Sequence, residues 1–452
     1  MRTGTKKTVT NMTEGNIFRH IALFALPLLA GNLFQQLYNT VDTWVVGNFV
    51  GSAAFSAVGT VSPITNTLIG VFTGLSSGAG VVISQRFGGG NMDGVRRAVH
   101  TAILATLIMG LAFTALGIGL IPFFLRIINM PADVAPEATV YLRIYFAGIA
   151  AQLLYNMGAA ILRAVGNSRQ PFYFLVLCAC MNIVLDLLFV IGFHMGVAGV
   201  AWATILSQAV SAILCIIVLM RAEGCVRLEL PLLHIHRITL KSMVIIGLPT
   251  ALQMGITAFS NIFVQSYINF FGSDCMGGWT AFNKIDQLIF LPAQSIGLAV
   301  MTFVGQNLGA GQVKRAKQGV TRAFLLSLCI NICISTTIYF SAPALVRFFI
   351  DKEEVLYYGV LFLRNLNPFY VVVSITQTYS AALRGAGRSK SSMFITLFSY
   401  VVFRQIYLFV MANFIANEAL PIAMGYPAGW VLAATLFLIV YHRRGLENSA
   451  RL

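Results

Sequence analysis

Three carboxylates stand in stretches of the chain where nearly everything else is apolar: Asp42, Asp186 and Asp286. A carboxylate in such surroundings costs several kcal/mol unless it is protonated, paired or bound to a cation. Each is therefore a candidate for holding a proton or a small cation. Their neighbours extend the pattern. Gln35, Tyr38 and Asp42 recur at helical spacing on one face, and Asn182 precedes Asp186 by four residues. Carboxylate, amide and phenol oxygens suit H⁺ or Na⁺, since hard cations take oxygen ligands. A structural hydrogen-bonded pair is the competing reading. Tyr141, Asn156 and Met157, on another apolar run, are candidate cavity-lining residues. Near Asp286, Lys284 is two positions away and turns to another helix face, while Arg404 is a candidate ion-pair partner. A structural ion pair, a substrate contact and a second coupling role all fit Asp286.

Other chemistry is sparse. The six histidines fall at loops or at the ends of apolar runs, and His234 and His236 form only a weak metal pattern. The seven cysteines contain no CxxC and read as small packing residues. No GxxxxGK[ST] phosphate loop is present. The chain is thus not expected to be an enzyme. It is expected to need no cofactor and to bind no metal beyond Na⁺ at Asp42 and Asp186.

The elements that must position these residues follow from composition. The chain has 452 residues, 58% apolar and 10% charged, against about 25% charged in soluble domains. Too few charges are available for a water-facing surface, which excludes disorder, a coiled coil and a soluble enzyme. Apolar runs between charged or Gly/Pro-rich breaks give twelve spans, near 20–48, 54–83, 98–124, 136–162, 170–193, 197–220, 242–271, 278–306, 321–345, 355–383, 391–413 and 419–441. Helices are expected, because lipid offers backbone groups no partners. The first twenty residues lack an apolar h-region, so no cleaved signal peptide is expected.

The net charge of +15 reflects topology. Of 30 Lys and Arg, 23 lie in the termini and in alternate connections. By the positive-inside rule those connections and both termini are cytoplasmic, and nucleic-acid binding is excluded as the meaning of the charge. On this reading the first and fifth spans both run outward. Asp42 and Asp186 then lie at a similar depth, roughly 12 Å below the outer face at ~1.5 Å per residue. They share one cavity if those spans touch.

The chain also repeats itself. QRFGGGNMDGVRRAV from Gln85 is matched 221 positions later by QNLGAGQVKRAKQGV from Gln306. At the same offset Pro122 and Arg126 match Pro343 and Arg347, and LRAVGNSRQ from Leu162 matches LRGAGRSKS from Leu383. Pro27 matches Pro249 with one extra residue. Each half holds six spans, so the repeat keeps its orientation. The expected fold is an all-α polytopic membrane protein, with two six-helix lobes related by a pseudo-two-fold axis along the membrane normal. The lobes are 1–220 and 242–452, with a cytoplasmic linker at 221–241. Repeats of this kind are typical of carriers. The carboxylate pair is not repeated: Phe263 and Tyr407 stand where Asp42 and Asp186 would recur.

These residues carry a resemblance. The loops QRFGGG and GQNLGAG, the tracts LRAVGNSRQP and LRGAGRSK, and MNIVLDLLFVIGFHMGVAGVAWATILSQ from Met181 are similar to those of multidrug and toxic compound extrusion (MATE) transporters. The likeness covers the whole chain and is closest to the prokaryotic DinF-like branch. It implies cation-coupled export of amphipathic, often cationic drugs or toxic compounds by alternating access, with H⁺ or Na⁺ as coupling ion. It places the first-lobe cation site on Asp42, Asn182, Asp186 and Thr204, and the bending proline of the first span at Pro27. Gln35, Tyr38, Tyr141 and Asn156 match polar cavity positions. It further implies a monomer in the bacterial inner membrane, in contact with lipid and small organic substrates. The seventh span lacks the acid of the NorM-like branch. The alternative function is a flippase for a lipid-linked oligosaccharide or cell-wall precursor, as in the wider superfamily.

Overall fold

The computed structural model describes residues 9–128, 130–132, 134–349 and 352–446. The terminal basic residues Arg2, Lys6, Lys7 and Arg451 lie outside them. Among the described residues every regular element is a helix. Twelve are long and apolar enough to cross a membrane: α1 (Ile17–Val50), α2 (Ser56–Gly88), α3 (Met92–Ile127), α4 (Ala135–Ala164), α5 (Arg169–Gly192), α6 (Gly196–Arg221), α7 (Arg237–Asn269), α8 (Ser273–Gly309), α9 (Val313–Arg347), α10 (Glu353–Gly385), α11 (Ser389–Ile415) and α12 (Ala419–Arg443). Each corresponds to one apolar run of the sequence. Several extend well past it: α9 begins at Val313 rather than near 321. Backbone hydrogen bonding continues into the polar flanks, which hydropathy does not register.

Large apolar side chains stay exposed along the spans. Leu26, Phe340 and Phe394 are 62%, 75% and 66% exposed. Burial against protein does not account for such positions; lipid does. The chain is a multi-pass membrane protein.

The internal repeat reappears in backbone geometry. Gly90 and Gly311, which end the two matching loops, have φ of 72° and 73°. Gly166 and Gly387, in the second matching pair, have φ of 85° and 76°. A side chain is strained in this left-handed region, so glycine is needed at both copies of each turn.

Two compact units result, Pro27–Gly247 and Met12–Leu26 with Leu248–Arg451. The breaks fall inside α1 and α7, beside Pro27 and Pro249, and not at the connection 221–241. In the first unit α4 packs against α2, α3 and α6, around Leu142, Phe146, Ile149 and Val200. The connection docks on the start of α3. The Glu229 carboxylate meets Arg96 at 2.8 Å, and its backbone N–H donates to His100 Nε2 at 3.1 Å. The His236 N–H donates to Thr101 Oγ1 at 3.1 Å. In the second unit α8 packs against α9 and α10, around Trp279, Phe282, Phe362 and Tyr370. There Arg315 donates to the carbonyls of Met12, Glu14 and Gly15 at 3.2, 2.8 and 2.9 Å, holding the entry to α1.

Candidate functional site

The site in the first unit forms where two helices loosen. The last turn of α1, Val46–Val50, and that of α5, Leu187–Gly192, are both π-helical. A π-turn carries an extra residue and shifts the register of the residues after it, a feature common at functional sites. Asp42 lies four residues before the first wide turn, and Asp186 immediately precedes the second. The two wide turns touch each other, and both touch α6. This junction brings the two carboxyls together.

Asp186 and Asn182 are fully buried and Asp42 is partly buried. The Asp42 and Asp186 carboxyls lie close enough to act directly on one another. Nevertheless, Asp42 Oδ1, both carboxylate oxygens of Asp186 and both side-chain atoms of Asn182 are buried with no hydrogen-bond partner among the described residues. Buried polar atoms are nearly always satisfied, so an orphaned set in one place calls for an explanation. Two adjacent acceptors lacking a donor can be joined by a proton. Carboxylate oxygens with an amide oxygen beside them are equally suited to a small hard cation.

Tyrosines surround the pair. Tyr38, buried on α1, has Gln35 and Gln208 near its hydroxyl. Tyr141, buried on α4, lies within the electrostatic reach of Asp42 and Asp186. It stacks on Tyr145 with ring centroids 6.1 Å apart, and the Tyr145 hydroxyl donates to Gln152 Oε1 at 2.9 Å. Thr204 on α6 donates its hydroxyl to the Val200 carbonyl at 3.0 Å, which leaves its oxygen lone pairs for another partner.

Not every sequence candidate joins this cluster. Asn156 and Met157 lie about 22 Å further along α4 than Tyr141, at ~1.5 Å per residue. The Asn156 amide donates to the Gln152 carbonyl at 2.9 Å, and Met157 is buried in packing. Pro27 is about as far from Asp42 along α1. Conversely, Gln208 and Tyr145, beside Tyr38, and Gln152, which accepts from the Tyr145 hydroxyl, belong near the site, although the sequence reading does not single them out. Gln208 Oε1 is also buried with no partner among the described residues. A signal for them exists: Gln208 follows Thr204 by one helical turn inside an apolar run, and Tyr145 follows Tyr141 in the same way.

In the second unit the expected pairing of Asp286 with Arg404 does not occur. Asp286 accepts from the Tyr370 hydroxyl. Arg404 Nη2 donates to Ser260 Oγ at 2.9 Å and Asn261 Oδ1 at 2.8 Å, with its guanidinium 4.7 Å from the Tyr426 ring centre. Tyr370, which meets Asp286, packs on Trp430 with ring centres 5.3 Å apart, and Trp430 lies 6.1 Å from the Tyr426 ring that faces Arg404. Lys284, on the neighbouring face of α8, is exposed.

Comparison with known proteins agrees with this architecture. The chain is 26% identical over 443 residues to "Probable multidrug resistance protein YpnP" of Bacillus subtilis, covering 98% of each. It is 27% identical over 450 residues to "Probable multidrug resistance protein NorM" of Thermotoga maritima, covering 96% of this chain and 94% of the relative. Among solved structures, the "Outward-facing conformation of a multidrug resistance MATE family transporter of the MOP superfamily" superposes with a TM-score of 0.92 at 24% identity, over 98% of both chains. The MatE family model matches residues 27–188 and 247–410. With twelve spans, a repeated six-span half and a buried polar cluster in the first unit, the chain belongs to the MATE family, whose members are transporters and not enzymes.

Proposed function

We propose that this protein is a secondary antiporter that exports amphipathic, often cationic organic compounds, driven by H⁺ or Na⁺ entering through the first lobe. One observation carries the coupling: the Asp42–Asp186 pair, with Asn182, holds buried acceptors that no described residue satisfies. A proton or Na⁺ supplies what they lack, and Thr204 offers a further oxygen ligand. Multidrug resistance proteins among the relatives support the export reading.

The cycle follows from charge. With the pair ionised, the site favours a cationic substrate and repels a second anion. Once H⁺ or Na⁺ binds, that attraction is cancelled and the substrate is released outward. Release of the ion to the cytoplasm resets the site. One charge moving down the membrane potential supplies about 2.3 kcal/mol per 100 mV. On this reading the protein works in the bacterial inner membrane as a monomer, with both termini cytoplasmic, alternating between outward- and inward-open states. Bending of α1 at Pro27 would accompany the change, since a proline removes one helix hydrogen bond.

Dye efflux from vesicles containing wild type, Asp42→Asn or Asp186→Asn, under a pH gradient or a Na⁺ gradient applied separately, tests this. Gradient-driven efflux should fall at least about tenfold in each variant, as expected when a coupling charge is removed. The gradient that drives wild type identifies the ion. Undiminished efflux in both variants rejects the coupling site. Movement of a lipid-linked sugar without dye efflux replaces export by the flippase reading.

A further inference from the structure

A groove opens on the flank of the second unit, where α9 crosses α10. Its deeper part, a cavity of about 320 Å³, is lined by Thr336, Phe340, Pro368 and Val371, with the buried Ser335 and Asn367. Its outer part, about 470 Å³, is lined by Pro343, Tyr357, Val360, Glu353 and Arg364. Both volumes fall within the ~300–1,000 Å³ of ordinary ligand sites. Tyr339 links them: it lines the deeper cavity, and the Arg364 guanidinium of the outer one lies 5.7 Å from its ring centre.

The repeat explains the groove. At the offset of 221, Asn367 stands where the first unit has Phe146, and Pro368 where it has Ala147. The helix crossing itself is kept. The Thr114 hydroxyl donates to the Phe146 carbonyl at 2.9 Å, and the Ser335 hydroxyl to the Asn367 carbonyl at 3.5 Å. The side chains differ. The Phe146 ring is buried against Gly117, where an added Cβ would lie 2.3 Å from it. Asn367 is shorter, and its amide turns back to the Ser335 carbonyl at 2.5 Å. Beside it Pro368 lacks an N–H to continue the helix, and α10 tightens into a 3₁₀ turn at Asn367–Phe369. Less side chain at this crossing leaves the cavity open.

Charge selects the occupant. Arg347 pairs with Glu353 at 2.9 Å, whereas Arg364 meets no carboxylate among the described residues. The groove therefore keeps an uncompensated positive charge. The 33 residues of α10 span ~50 Å against ~30 Å of hydrocarbon, and Arg364 lies ~16 Å below the start of the helix. That is close to the hydrocarbon boundary, where arginine side chains reach headgroups. An organic cation is repelled there, while a phosphate matches the planar donors of a guanidinium. We propose that the groove seats one anionic phospholipid, with its phosphate on Arg364 and one acyl chain running past Phe340 and Pro368 into the deeper cavity. The lipid belongs to the leaflet on the side of the α9–α10 connection. This goes beyond the export reading and is independent of it, since no residue of the carboxylate pair takes part.

The test measures lipid binding and involves no transport. Full-length protein carrying Phe340→Trp as a reporter is placed in phosphatidylcholine nanodiscs, and the emission of the native tryptophans is subtracted with the parent protein. Phosphatidylglycerol or phosphatidylcholine brominated on its acyl chains then replaces part of the lipid, and bromine quenches the reporter on contact. Phosphatidylglycerol should be preferred about fivefold, the effect of one arginine near an anionic headgroup. Arg364→Gln, at an exposed position, should abolish the preference. Val371→Phe puts a ring in the deeper cavity, leaves Arg364 in place, and should at least halve the preference, since the chain can no longer seat. Should one variant not fold, the other carries the test. Excess inorganic phosphate should not restore the emission, because a free anion lacks the chain. Equal quenching by the two lipids, a preference that survives Arg364→Gln or Val371→Phe, or displacement by inorganic phosphate overturns the proposal. Quenching by neither lipid, as a second copy covering the groove would give, overturns it as well.

Discussion

Asp42 on α1 and Asp186 on α5 face one another, and Asp42 Oδ1 and both Asp186 oxygens are buried with no donor among the described residues. The wide final turns of the two helices bring them together. Such a pair is unfavourable until something positive arrives, and the coupling proposed above rests on that instability.

Stability and transport should therefore separate at this pair. Asp186→Asn replaces a carboxylate by an amide that can donate to Asp42, which should stabilise the fold by about 1–3 kcal/mol. Thermal melting of the purified protein should rise while gradient-driven efflux falls. A lower melting temperature would show instead that the pair is a satisfied structural contact.

The crossing of α2 and α7 should be intolerant of any side chain. A Cβ on Gly78 would lie 2.4 Å from the backbone nitrogen of Gly247 and 2.5 Å from the carbonyl oxygen of Met243. Neither backbone atom can rotate away. Gly78→Ala should cost about 1–3 kcal/mol. Gly119→Ala on α3, where a Cβ meets nothing within 4 Å, should be neutral or gain up to about 1 kcal/mol. Equal melting temperatures for the two variants would contradict this packing.

The connection between α6 and α7 should be held more by His100 than by the Arg96–Glu229 ion pair. That pair is 43% and 33% exposed, so Arg96→Ala should cost less than about 1 kcal/mol. His100 is 3% exposed and accepts the Glu229 N–H. His100→Ala leaves that donor unmet and should cost about 1–3 kcal/mol. Limited trypsin digestion is the readout: cleavage at Arg227 should accelerate strongly in His100→Ala and only slightly in Arg96→Ala.

Arg315 should govern the entry to α1. Its guanidinium is shared by the carbonyls of Met12, Glu14 and Gly15. Arg315→Ala should release residues 12–16 at a cost of about 1–3 kcal/mol, charge-assisted bonds being the stronger kind. Hydrogen exchange should quicken there and remain unchanged around Asp186. Unchanged exchange at 12–16 would assign the strap to other contacts.

The sequence by itself determined the spans, their number, the six-span repeat and the family. These follow from apolar runs, loop charges and matching turns, all of them local along the chain. It also marked Asp42 and Asp186 as costly charges at similar depth, because an acid within an apolar run is conspicuous wherever it lies. Only the tertiary structure decided which charges meet. The Asp42 and Asp186 carboxyls come together because wide turns at the ends of α1 and α5 pack on each other, and hydropathy carries no signal for a π-turn. Asp286 and Arg404, equally conspicuous in sequence, are separated because Ser260, Asn261 and Tyr426 hold the guanidinium and Tyr370 holds the acid. Side-chain pairing between helices depends on rotation and depth together, and those are set by packing against every neighbour at once.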